Sequence, residues 1–439
     1  MALPSIALIP TGTKAGKLYS VLPEDGSGDF TVVRATTATR VNENGLIESV
    51  ANNVPRLDYT NGGCPVLLTE PQSTNLSLYS EDFSNAVWTN TGAATTVTVN
   101  NAASPDGTIT GNLFTDNLID DRKAIFDDIS VTANQPHTIS VYLKNIDLHS
   151  FRIVLAYDAT DWTTVQVDLS NNTLSIDDGS SNLWTSISSS ISSTSVNGYY
   201  RLTLSGTHPT ATTIRQLYCT SDGTAISNTN SYGRPSYLGT NSSILVWGAM
   251  LEQLAYSTSY IPTVATSVTR NADQVTDSGD VNDFNDSEGT LMIETATLIS
   301  GADGRITISD GTTSNRASLE FDINPNVLKV FISSGGTLGA SLQYTADDLT
   351  TANKISISYK VNDANLWING FLVDNDPSVV APIGLDRLDL DNGAGASDLY
   401  AKTKQIQVFK SALTSLEIET LTSWVSFSAM ASAQEYLVY

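Results

Sequence analysis

The sequence predicts an all-β protein, with an extended, hairpin-built amino-terminal segment followed by two tandem antiparallel β-sandwiches of jelly-roll type. Three observations lead there. Apolar residues make up 40% of the chain and charged residues only 15%, with Ser, Thr and Asn filling the difference, a composition suited to sheets whose outer faces carry small hydroxyl and amide groups. Short alternating runs are punctuated by Asn-Gly and Asp-Gly pairs at β spacing, and no long helix-period segment interrupts them. Two phrases, TEPQSTNLSLYSEDFSNAVWT at 69–89 and VWGAMLEQLAYSTSYIPT at 246–263, bracket one such stretch and read as the opening and closing strands of a single sandwich.

Residues 1–69 form the first unit. LPSIALIP and KLYSVLP are short apolar runs closed by proline, which cannot continue a central ladder. EDGSGD at 24–29 is a turn, the following Phe30-Thr31-Val32-Val33 reads as a strand, and Asn44-Gly45 between β-branched flanks signals a hairpin. The unit is too short and turn-rich for a large core of its own, so it is expected to pair with another surface or with copies of itself.

Residues 70–265 form the first sandwich. Its strand candidates are 96–99, 137–143, 151–157, 164–169, 199–204 and 244–247, with turns at Asp106-Gly107, Asn197-Gly198 and Asp222-Gly223. Residues 266–439 form the second sandwich: it opens at 289–294, alternates cleanly over 354–359, and turns a hairpin at Asn369-Gly370 between 366 and 373. The run KQIQVFKSALTSLEIETLTSW then reads as a strand and a short helix, with Thr414 and Glu417 spaced as a capping box.

Bulk properties exclude several functions. With 22 basic and 46 acidic residues the net charge is −24, a surface that repels phosphate backbones and anionic membranes, so neither nucleic acid nor membrane insertion is expected. The acids are scattered, which reads as solubility. Cys64 and Cys219 form neither a disulfide framework nor a zinc spacing. The start lacks a basic region and no apolar run reaches membrane-spanning length. A surface that looks extracellular, on a chain without an export signal or disulfides, fits a particle assembled in a host cytoplasm and released by lysis.

Bond-breaking chemistry finds little support. Glycoside hydrolysis needs two flanking carboxylates. Glu320-Phe321-Asp322 supplies two acids of the sandwich-glucanase pattern E-x-D-x-x-E, but Asn324 and Pro325 stand where the third belongs, so Glu320 and Asp322 read as a solvated strand face. His137, His149 and His208 have no metal-ligand or nucleophile spacing, and no nucleotide or hydrolase motif is present. Sugar binding asks less: an aromatic face and a few polar groups at a loop rim. Trp162 beside Asp161, Trp184, Tyr232 and Tyr237 lie in turn-like polar stretches and are the expected platforms, packing or subunit contact being the competing reading. Trp88, Trp247, Trp367, Tyr199 and Tyr200 fall in strand phrases and read as core.

The leader 3–30, the run RATTATRVN at 34–42, PRLDYTNGGCPVLL, the phrases YLKN and NGYYRLTLSG, the connector TSVTRNAD at 266–273 and the WING turn together resemble structural proteins of tailed bacteriophages. The similarity is to those of crAss-like and related phages of Bacteroidetes, which carry carbohydrate-binding-module-like and laminin-G-like, lectin-like domains. In that family the first arginine is usually followed by Asn or Gly, where this chain has Ala35. The resemblance implies a virion-surface protein, a head or tail fibre and homotrimer, contacting capsid or tail proteins and adhering to host-surface or mucosal glycans. It makes the leader, with Leu3, Ile6, Leu8, Ile9 and Tyr19, the expected attachment segment. It also raises calcium as the one cofactor to consider, at the acidic loop of Asp389, Asp391 and Asp398. The alternatives are a tail-associated glycan hydrolase and an inert capsid decoration.

Overall fold

A computed structural model describes residues 3–60, 62–90, 94–194, 197–223 and 231–433. Among them nearly all regular structure is antiparallel strand, and the helices are Ser415–Thr422, Phe427–Ala433 and one short 3₁₀ turn. No helix of the described residues is long and apolar enough to cross a membrane.

The first sandwich is two six-stranded sheets. One runs Thr89–Asn90, Ile125–Ser130, Thr213–Ser221, Ser150–Ala156, Trp162–Asp168, Thr173–Asp178; the other runs Thr95–Ala102, Gly111–Asp116, Ser243–Glu252, Pro136–Asn145, Tyr200–Thr207, Thr185–Ser193. Alternate side chains from both, among them Phe114, Ile139, Val141, Ile153, Val165, Leu202 and Ile244, fill one core, as a face-to-face pair of sheets requires. The bracketing phrases meet as expected, and Asn75 joins them. Its amide donates to the carbonyls of Ala249 (3.1 Å) and Ile261 (2.8 Å), and its Oδ1 accepts from the Ser77 and Leu251 amides. All four hydrogen-bonding positions of this fully buried side chain are thereby used.

The second sandwich is larger than its stretch of sequence. Its first sheet runs Phe371–Asp376, Asp363–Ile368, Asn353–Lys360, Glu288–Thr297, Ala401–Phe409, Val66–Leu68, Arg56–Asp58, with Ile6–Leu8 also on Ala401–Phe409. The facing sheet is Thr337–Thr345, Val327–Ser334, Arg316–Phe321, Gly304–Ser309 and Arg387–Asp389, and a smaller sheet pairs Phe30–Val33 with Gln274–Thr276.

The leader is therefore not a separate appendage. Ile6 stands opposite Val408, Leu68 opposite Lys402, and Ile6, Leu8, Leu18, Phe30, Val32, Leu57 and Leu67 share one core with Val275, Ile306, Ile355 and Ile406. The reason is elementary. Strands of two to four residues cannot bury an apolar face alone, and Ala401–Phe409 offers them an otherwise bare edge. Of the five side chains expected to make the attachment surface, Ile6 and Leu8 are fully buried and unavailable to a partner; Leu3, Ile9 and Tyr19 remain exposed. The first sandwich is in effect an insertion, leaving through Ser73–Asn75 and returning through Val268–Arg270, which pair with each other.

Local expectations hold in detail. Asn369 and Gly370 both take positive φ (51° and 90°) at the hairpin tip, as a primed turn demands. Thr414 caps the Ser415–Thr422 helix, its Oγ accepting from the Glu417 amide while the Glu417 carboxylate accepts from the Thr414 amide.

Candidate functional site: the junction of the two sandwiches

The chain crosses between sandwiches at two places, and both crossings carry buried charge. Arg56, from the leader strand Arg56–Asp58, donates to Glu70 Oε2 (2.5 Å) and to Asp273, and also reaches Ser259 Oγ (2.9 Å). Arg270 donates to Glu70 (2.6 Å) and to the Pro71 carbonyl, and Arg34 donates to Asp273 Oδ1 (2.9 Å). Ser259 closes the ring from the first sandwich, its amide and hydroxyl both donating to Glu70 at 2.7 Å. None of the five charged side chains is more than 5% exposed, so pairing must offset a large desolvation cost. Burial alone would raise the Glu70 carboxyl; Arg270 and Arg56 overcome it and hold the group well below the usual carboxylate range. Burial likewise disfavours the Arg56 cation, and Glu70 and Asp273 reverse that, moving it above its ordinary value.

Above this cluster opens a cavity of about 320 Å3, at the small end of ligand sites, which span about 300–1,000 Å3. One wall is the hairpin Ala38–Val41/Ile47–Val50, a second is the edge strand Thr185–Ser193 with its neighbour Tyr200–Thr207, and a third is Thr297, Leu298, Thr350 and Lys402 of the second sandwich. The lining is rich in hydroxyls, including Ser190, Ser192, Thr203 and Thr258, with Tyr142, Tyr256 and Tyr260 among them. Arg201 lies over the Tyr142 ring at 5.2 Å and donates to the Thr258 carbonyl (2.7 Å) and Ser140 Oγ (2.9 Å). Arg40 pairs with Glu48 (2.7 Å). Asp58 accepts from the Val41 and Thr60 amides, which compensate its charge.

The cavity unites residues 40, 58, 201, 256 and 402, a grouping that no local pattern announces. The nearest sequence signals are the phrases RATTATRVN and TSVTRNAD, which supply Arg34, Arg40, Arg270 and Asp273.

The aromatic platforms expected from sequence lie elsewhere, and most are enclosed. Trp162 (6% exposed) packs with Val154, Ala156, Leu217 and Cys219, and Trp184 (4%) belongs to the main core of the first sandwich. Buried Asp161 pairs with His208 Nε2 (3.0 Å) and accepts from the Leu183 amide (3.1 Å). Tyr237 is buried beneath the Lys123 ammonium (5.1 Å). Tyr232 stays half-buried, with the Arg215 and Arg234 guanidinium groups 4.4 and 5.2 Å from its ring. These stretches do turn, but the Ser231–Gly233 turn folds back onto Ser150–Ala156 and Trp162–Asp168, and Ser236–Leu238 pairs with Asp120–Arg122. Trp162, Trp184, Tyr237 and Asp161 thus offer no free face to a sugar. Trp88, Trp247, Trp367 and Tyr199 are buried as read, and Tyr200 is half-buried.

The acidic loop is also turned inward. Asp389 Oδ1 accepts from the Asp277 amide (2.7 Å), Asp391 from the Gly393 amide (2.6 Å) and Asp398 from the Tyr400 hydroxyl (3.1 Å). Among the described residues no group of three or more His, Cys, Asp or Glu side chains is placed to hold a metal ion. Burial, with Asp391 and Asp277 nearby, pushes the Asp389 carboxyl up to about 6. Its folded value exceeds its ordinary 3.8, so the native state holds a proton that the unfolded chain has lost, and stability falls as pH rises from about 4 to about 6. Asp389→Asn, which keeps the acceptor, is expected to stabilise the protein by about 1–3 kcal/mol above about pH 7 and by nothing below about pH 4. Thermal melts of both proteins across that range check the sign.

Glu320 and Asp322 are not a solvated face either. Each is about 5% exposed, Glu320 paired to Arg305 and Asp322 to Lys329. Asn324, in place of a third acid, donates to Asp322 Oδ1 (2.8 Å from its amide). The two carboxylates neutralise cations on the adjacent strands.

No protein-family model matches the chain, and no curated protein matches it. Parts of it are similar to solved structures. The CBM40 of Ruminococcus gnavus IT-sialidase bound to α2,3-sialyllactose is 15% identical, with a TM-score of 0.28 over 33% of this chain and 91% of that one. The binding domain of Botulinum neurotoxin DC in complex with rat synaptotagmin II is 13% identical, with a TM-score of 0.28 over 35% and 40% of the two chains. Likeness of this degree, over a third of the chain, specifies neither ligand nor activity.

Proposed function

We propose that this chain is a non-catalytic glycan-binding protein of a phage particle, displayed as a fibre and adhering to host-surface or mucosal sugars. The observation that carries the binding role is the junction cavity. Its hydroxyl lining, with the half-buried Tyr256 ring and Arg201 fixed by neutral acceptors, supplies an apolar ring and the sparse polar groups that orient a sugar. The placement on a virion rests on the sequence resemblance alone. A site of this small size binds weakly, and several copies on one fibre would multiply its retention through effective concentration.

The test is a glycan array followed by calorimetry on the best-retained oligosaccharide. Arg201→Ala is expected to weaken binding at least about tenfold, or about 1.4 kcal/mol, while Trp162→Phe leaves it unchanged. Incubation with host capsular polysaccharide is expected to release no reducing ends. Retention of no glycan, or binding indifferent to Arg201, overturns the reading.

A further inference from the structure

We infer that the junction cavity selects acidic sugars, those bearing a carboxylate or sulfate, over neutral ones. This rests on the glycan-binding reading above and goes further by naming the ligand class.

The inference comes from charge placement. The chain as a whole carries −24, so most of its surface repels an anion. The junction reverses that sign. Beneath the cavity three guanidinium groups, Arg34, Arg56 and Arg270, face two carboxylates, Glu70 and Asp273, leaving one positive charge in excess in a water-poor setting. In the lining, Arg201 donates to a carbonyl and a hydroxyl and touches no carboxylate. On the second-sandwich wall Lys402, half-buried, makes no ion pair among the described residues. The two lining acids are already answered: Asp58 by two backbone amides and Glu70 by two arginines. Glu252 lies behind Arg201 and offsets part of its charge, but its oxygens are taken up by the Ser73 hydroxyl and the Thr258 amide, which leaves the guanidinium without a carboxylate in direct contact.

Counting Arg34, Arg40, Arg56, Arg201, Arg270 and Lys402 against Glu48, Asp58, Glu70, Glu252 and Asp273, the junction keeps one positive charge, and the two cations that contact no carboxylate directly, Arg201 and Lys402, both line the hydroxyl-rich cavity. A neutral sugar would satisfy the hydroxyls and leave that charge unanswered. An anionic sugar answers both, and discrimination follows from the difference. The surrounding acidic surface works against any anion, so the preference has to come from the cavity itself.

The experiment pairs each acidic oligosaccharide with its neutral counterpart: uronic-acid oligosaccharides against their carboxyl-reduced forms, and sulfated ones against desulfated forms. Acidic members are expected to bind at least about tenfold more tightly, with an advantage that shrinks as salt is raised. Arg201→Gln should abolish the preference, Arg201→Lys should keep most of it, and Lys402→Gln should reduce it. Lys402 is half-exposed and holds no buried partner, so that variant tests the idea even if Arg201→Gln folds poorly. Should neutral sugars bind as well as acidic ones, and still depend on Arg201, this inference fails while the glycan-binding role stands. A preference unchanged in both the Arg201→Gln and Lys402→Gln variants also overturns it. If neither class is retained, both readings fall together.

Discussion

Removing residues 1–69 is expected to leave the second sandwich unable to fold. Seven apolar side chains of that segment, Ile6, Leu8, Leu18, Phe30, Val32, Leu57 and Leu67, lie in the core it shares with residues 275–408. At about 1.5–3 kcal/mol for each buried aliphatic or aromatic side chain, their loss removes about 10–20 kcal/mol, comparable to the whole net stability of a domain, about 5–15 kcal/mol. The deletion also bares the edge of Ala401–Phe409, a ready template for aggregation. A chain of residues 266–439 is therefore expected in the insoluble fraction. Residues 1–75 joined by a short flexible linker to 266–439, with the inserted sandwich omitted, should give a soluble protein with a cooperative melt. A soluble, cooperatively melting 266–439 fragment would show that the leader is dispensable.

The second large effect concerns the buried charges. Arg56→Met leaves Glu70 and Asp273 with one arginine each and empties the centre of the cluster, at an expected cost of about 3–5 kcal/mol in urea unfolding. Arg40, whose partner Glu48 is partly exposed, serves as the comparison: Arg40→Met should cost about 0–1 kcal/mol. The cluster also predicts a pH dependence. Because the folded Glu70 value lies below its ordinary 4.5, its contribution is present above about pH 4.5 and is lost as pH falls through the folded value. Glu70→Gln should flatten that acid limb, whereas Arg56→Met should lower stability across the whole range. A cost for Arg56→Met no larger than that for Arg40→Met would mean that the guanidinium adds nothing beyond a surface pair.

Much of the fold was legible locally. The run at 96–99 alternates as a half-exposed strand does, while those at 137–143, 151–157 and 244–247 fall in strands buried on both faces, legible as short apolar, β-branched runs bounded by turns. The Asn369-Gly370 turn and the Thr414/Glu417 cap were readable because their physics closes within four residues. The site was not. Trp162 and Trp184 have polar neighbours in sequence, and what encloses them comes from far along the chain: the Ser231–Gly233 turn packs on Trp162, and Gly206 and His208 lie against Trp184 in the main core. Glu320 and Asp322 looked solvated because Arg305 and Lys329, which neutralise them, come from the adjacent strands.

By itself the sequence determined that this chain is built from short, turn-punctuated strands, where most of them run, and that it carries a strongly acidic net charge. Tertiary structure alone decided that the leader completes the second sandwich, that the first is inserted between its parts, and that Arg40, Arg201 and Lys402 surround one cavity. The division has a physical cause. Periodicity and turn chemistry are set by neighbours a few residues away, whereas the choice of sheet edge and the cancellation of buried charge depend on partners more than 200 residues distant, as Arg56 and Asp273 are.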